Sequence, residues 1–215
     1  MKKFATILGA SALAFSASAM ADVQFADPAE GGLGYEWIVT LGHNGSHEIV
    51  GSTGGKGSYE PSFEAPDIGW THTTDWVALE LEEEAILEIK VTRQEGVYEM
   101  KVDRETGEKS YATSGAMLYP SFSIYEGWDS TTEKEKGSFN PMGNFWSTIV
   151  FKDAAFSEYG ETTIVWRGRM PAGQYSVNVG GVNALYCAET DDCYNGVHGF
   201  KATFTTSHDE SLSGM

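Results

Sequence analysis

The sequence predicts an all-β protein: an antiparallel β-sandwich or jelly roll, one domain with two long loops. Three observations carry this. Apolar and polar residues alternate with a period of two in short segments between residues 35 and 206, the pattern of strands with one face buried. Turn-forming residues separate those segments, at Asn44-Gly45, Gly54-Gly55, Pro171-Ala172-Gly173, Gly180-Gly181 and Asn195-Gly196. No segment carries a convincing apolar stripe at helical spacing, and many short strands without helices bury their faces by stacking two sheets.

Along the chain, residues 1–21 read as a secretory signal peptide. Lys2 and Lys3 form a basic start, Phe4 to Ala17 is apolar and too short to span a bilayer, and Ala19-Met20-Ala21 fits the small-x-small cleavage rule. The β-domain is expected over 22–206, followed by a polar tail over 207–215. Strands are predicted at Tyr35–Leu41, Trp76–Leu81, Ile86–Val91, Val97–Val102, Leu118–Tyr125, Trp146–Phe151, Thr162–Arg167, Tyr175–Val179 and Gly199–Thr206. Glu82-Glu83-Glu84 is an acidic turn, and Arg104-Glu105-Thr106-Gly107-Glu108 reads as a hairpin loop. Pro120 predicts a bulge or an edge within its strand, because proline cannot donate to the ladder. A helical turn is expected only over Asp153–Tyr159. The long loops run from Gly51 to Gly69 and from Glu126 to Asn144, and loops of that length in a compact domain are commonly functional.

The formal net charge is −17, and removal of Lys2 and Lys3 makes it more negative. Such a chain is a poor partner for nucleic acid, whose phosphates need Lys and Arg, and for anionic lipid. It suits solubility and cation binding. The expected location is exported: periplasmic, associated with the outer surface, or extracellular. In an oxidising compartment Cys187 and Cys193 are expected to pair as a local disulfide.

No enzyme signature is present. There is no Gly-x-Ser-x-Gly elbow, no His-Glu-x-x-His and no phosphate loop. The expectation is a non-enzymatic binding protein. Loop aromatics such as Trp70, Tyr125 and Trp128 offer stacking surfaces for a glycan or another cell-surface partner. The segment Trp70-Thr71-His72-Thr73-Thr74-Asp75-Trp76 offers metal chemistry instead. Residues two apart in an extended chain face one side, so Trp70 and His72 present indole and imidazole together, with Asp75 near enough to orient the imidazole. Imidazole binds copper and zinc near neutral pH. His43 and His47, in Gly42-His43-Asn44-Gly45-Ser46-His47, are the expected partners of His72, on opposite arms of a hairpin. His198 and His208 rank lower. Calcium is a separate expectation, from Glu189, Asp191 and Asp192 in the cysteine loop or Glu126 with Asp129, although no Asp-x-Asp-x-Asp-Gly loop exists.

Trp70-Thr71-His72 resembles a motif of the secreted copper-binding surface proteins of methane-oxidising bacteria, the MopE and CorA type. The resemblance implies a β-rich domain that holds copper(I) on two imidazoles. It also implies oxidation of the Trp two residues before one of them to kynurenine, here Trp70. It extends in style over residues 35–180, but three residues carry it. This chain departs from the pattern in having no histidine between His72 and His198, so no second ligand transfers. The reading is therefore an exported copper(I)-binding protein for copper acquisition or sequestration, with His72, Trp70, His43 and His47 as site candidates. The competing reading is a metal-free glycan- or surface-binding module.

Overall fold

The alternation at Ile86–Val91 sets the pattern for the whole fold. In strand β5 (Ala85–Arg93), Leu87, Ile89 and Val91 are fully buried and Lys90 is exposed. The computed structural model describes residues 23–25, 35–55, 74–96, 98–102, 109–128 and 149–208, with the backbone alone described for 23–25, 98–102 and 109–113. The result is an all-β sandwich.

One sheet has six strands in the order β1 (Val23–Phe25), β2 (Trp37–Leu41), β4 (Asp75–Leu81), β11 (Gly173–Gly181), β8 (Pro120–Glu126) and β9 (Val150–Phe156). The other has four, in the order β10 (Thr163–Met170), β5, β12 (Val197–Ser207) and β3 (Ser46–Gly54). β6 (Tyr98–Val102) and β7 (Lys109–Thr113) form an antiparallel pair, as the hairpin reading of that region expects. All pairings are antiparallel except β2 with β4. The core lies between the two large sheets: Val77, Leu79, Phe122 and Val177 from the first meet Leu87, Ile89, Phe200 and Phe204 from the second. Truncating a buried Phe such as Phe204 to Ala costs about 3–5 kcal/mol. A smaller cluster of Trp76, Tyr125 and Ile149, with Tyr35 and Phe151 against it, is separate from this core. Trp76 neighbours the core residue Val77, so by strand alternation this cluster lies on the other face of the first sheet.

Several elements differ from the sequence expectation. Residues 51–54, expected to open a long loop, are the end of β3 and pair with β12. Gly51 permits this, since a Cβ there would meet Asp75 Oδ2 at 2.5 Å and Phe200 Cζ at 2.9 Å. Asp153–Phe156 is strand, not a helical turn, because β8 supplies its ladder partners and pairing overrides the helical preference of Ala154 and Ala155. β8 is an interior strand, and Pro120 is its first residue, where a missing N–H costs little. Its irregularity falls later, between Ile124 and Tyr125. The expected hairpin around Asn44-Gly45 is not one: β2 and β3 belong to different sheets, so this turn carries the chain from one layer to the other. A 3₁₀ turn at Asn183–Leu185 and a short helix α1 (Asp192–Asn195) flank the Cys187–Cys193 disulfide, which is present as expected.

Candidate metal centre

Three chain segments converge at one end of the sandwich: the β2–β3 turn, the β4–β5 turn and the residue that follows β12. Thr206, buried near the end of β12, fixes the first. It accepts the Gly45 N–H at 2.8 Å and donates its hydroxyl to the Gly42 carbonyl at 2.7 Å. Its own N–H reaches the Gly45 carbonyl at 2.9 Å. Asn44 takes the left-handed conformation, φ 52°, which Asn tolerates better than most residues. The acidic turn is fixed by Glu82 N–H to the Leu41 carbonyl, 3.0 Å. These bonds are buried or main-chain and specify where each turn sits.

On this frame stand His43, Glu83 and His208, the one trio of His, Cys, Asp or Glu among the described residues whose donor atoms lie close enough to share an ion, all within 4.8 Å of one another. The imidazoles of His43 and His208 stack with centroids 4.3 Å apart and planes 21° apart. Glu83 Oε1 lies 3.3 Å from His43 Nδ1 and 3.6 Å from His208 Nε2. An ion bound tetrahedrally at about 2.0–2.1 Å from each donor holds those donors roughly 3.4 Å apart, so the two carboxylate–imidazole spacings fit, while the stacked rings must turn to aim their in-plane lone pairs at one ion. His208 Nε2 is covered from solvent and makes no hydrogen bond, with Glu83 Oε1 at 3.6 Å too far for one. The His43 side chain is 61% exposed, so an ion has access from solvent.

The other sequence candidates distribute as follows. His43 is in the trio. His47 is on β3 opposite Phe204, outside the trio, with its pKa pushed down chiefly by burial. Trp70 and His72 lie outside the described residues, as do Asp129, the signal segment and residues 209–215. His198 is buried in β12 and shares a 3.1 Å hydrogen bond with the Cys193 carbonyl, beside the disulfide. Glu189, Asp191 and Asp192 do not form a converging group, and Glu126 pairs with Lys152 at 2.6 Å. Tyr125 is buried in the smaller cluster, and the Trp128 indole N–H donates to the Leu79 and Tyr175 carbonyls. The buried Tyr125 ring forms no open platform, while the Trp128 ring is half-buried. The sequence reading named neither Glu83 nor His208 as a leading candidate. In the sequence Glu83 reads only as part of an acidic turn, and His208 only as a lower-ranked histidine within the polar tail.

No protein-family model matches the chain, and no curated protein matches it. Solved structures are similar in fold at low identity. CorA, a surface-associated copper-binding protein important in Methylomicrobium album BG8 copper acquisition, is 13% identical over 79% of this chain and 99% of its own, with a TM-score of 0.44. MopE is a secreted protein of Methylococcus capsulatus in which an oxidized tryptophan facilitates copper binding. It is 14% identical over 78% of this chain and 85% of its own, with a TM-score of 0.39. The pre-peptidase C-terminal domain of a Bacillus anthracis collagenase is 11% identical over 78% of this chain and 93% of its own, with a TM-score of 0.34. No residue role is carried over from any of them.

Proposed function

We propose that this chain is an exported, non-enzymatic copper-binding protein serving copper acquisition or sequestration, with His43, Glu83 and His208 as ligands. The convergence of those three donors within 4.8 Å carries the reading. Imidazole nitrogen is a good copper donor, and among divalent first-row ions copper(II) binds such sets most tightly. The two imidazoles serve either oxidation state, while the hard carboxylate of Glu83 favours copper(II) over the copper(I) implied by the Trp70–His72 motif. Export is supported by the signal-like residues 1–21 and by the Cys187–Cys193 disulfide, which suits an oxidising compartment.

The test is copper content of the exported protein, compared with His43→Ala, His208→Ala and His72→Ala. Loss of copper in the first two with retention in the third supports the trio. Loss only in His72→Ala moves the site to the Trp70 segment, and equal copper in all four proteins rejects the proposal. Intact-mass analysis checks Trp70 at the same time: an unmodified mass excludes kynurenine there.

A further inference from the structure

Three tyrosines meet at the end of the sandwich opposite the histidine–glutamate trio. Tyr119 precedes β8, Tyr159 follows β9 and Tyr186 follows the 3₁₀ turn after β11. The register places these ends together, with Gly181 beside Pro120 and Phe156 beside Ser121. Tyr119 and Tyr159 stack at 5.9 Å with planes 22° apart. Tyr186 meets both edge-on, at 4.9 Å and 5.6 Å. Ordinary core packing does not account for the group, since Tyr159 is 74% exposed and gains little by burial.

The platform is held from beneath. Tyr119 N–H donates to Asn183 Oδ1 at 2.8 Å, and the Asn183 amide donates to the carbonyls of Met117 and Cys193 at 2.7 and 2.6 Å. The Tyr186 hydroxyl donates to the Ser157 carbonyl at 3.1 Å. The disulfide anchors Cys187, the residue after Tyr186. The turn that carries Tyr159 also carries Glu158 and Glu161, joined by a 2.8 Å bond from Glu158 N–H to Glu161 Oε2. Neither carboxylate is in an ion pair among the described residues. Glu158 adjoins Tyr159 in the chain and Glu161 lies two residues on, and burial first, then the charges of these two acids, raise the pKa of Tyr186.

We propose that this platform docks an arginine side chain of a partner protein. A planar guanidinium lies on the open face of Tyr159 while its N–H groups donate to Glu158 and Glu161, satisfying an electron-rich ring and two uncompensated carboxylates at once. A neutral sugar would use the ring and leave the charge unmatched.

The probe is acetyl-Gly-Arg-Gly-amide, titrated into the full exported chain while the tyrosine ring resonances are followed by NMR. The same peptide with citrulline removes only the charge, and cellotetraose tests the sugar alternative. The expected result is a saturable, salt-weakened shift of the Tyr119, Tyr159 and Tyr186 rings with the arginine peptide. Affinity should fall about two- to fivefold in Tyr159→Ala, the range of an exposed cation–π contact, and fall also in the double variant Glu158→Gln/Glu161→Gln. Both variants alter exposed side chains, and unchanged thermal midpoints verify their folding. Equal response to arginine and citrulline, response to cellotetraose alone, or no ring response overturns the proposal.

Discussion

His43, Glu83 and His208 sit at the surface, and their pairings contribute little to folding. Replacing His208 by Ala should change the unfolding free energy by less than about 0.5 kcal/mol, as for other surface substitutions, while weakening copper at least tenfold, about 1.4 kcal/mol. Urea unfolding of the metal-free protein and a competitive copper titration check the two halves. His198 is the opposite case. Its Nε2 donates to the Cys193 carbonyl, so Nδ1 is bare, covered and without a partner. A Cβ on Gly115 would lie 2.6 Å from it. Burial is the main reason its pKa is lowered from 6.5; the Cys193 and Asp192 main chain opposes the shift. The unfolded chain therefore binds a proton that the folded chain refuses just below pH 6.5. Stability contributed here is complete above that value and declines as pH falls, until the buried ring itself titrates. His198→Gln should lose less stability than the wild type between pH 7.5 and pH 5. Equal losses in urea midpoints would sink this account.

Among the elements, the turn at 42–45 depends on Thr206 more than on its own residues. Thr206→Val keeps the shape and removes the hydroxyl that bridges the Gly45 N–H and the Gly42 carbonyl, leaving them only their mutual 3.3 Å bond, at a cost of about 0.5–1.5 kcal/mol. Copper affinity should fall with it, because His43 loses its mooring; unchanged affinity would show that the turn holds without Thr206. Strand legibility follows the same logic of local against distant cause. β5 was readable because Ile86-Leu87-Glu88-Ile89-Lys90-Val91 states its two faces outright. β3 was not, because Ser46–Gly54 is rich in Gly, Ser and Thr and becomes strand through nine pairings with β12. Asp153–Phe156 misled for a related reason, its alanines favouring helix until β8 supplies partners. The place of His208 in the trio is not legible in the sequence, since its neighbours His43 and Glu83 arrive only through the layer change at Asn44 and the parallel pairing of β2 with β4.

In the molecule as a whole, the disulfide and the histidine–glutamate trio occupy opposite ends, as the β4–β11 register shows: Leu81 pairs with Gly173 at one end and Asp75 with Val179 at the other. They should act independently. The disulfide spans a sequence separation of 6, a loop worth roughly 2 kcal/mol in the chain-entropy account. Cys187→Ser/Cys193→Ser should therefore lower the melting temperature by about 4–8 °C and leave copper affinity unchanged. A loss of copper in that variant would mean that the two ends are coupled through the sheets.

The place of β12 also dictates an order of assembly. It is the latest strand in chain order, yet it lies between β5 and β3, which meet through it. Until it arrives, β5 has only β10 beside it and β3 stands alone, so both present unpaired backbone edges. A chain emerging from its N-terminal side spends that interval with its four-stranded sheet in two pieces. Pairings this distant make for slow folding. Any factor that shields open edges during emergence would act on β3 and β5 first.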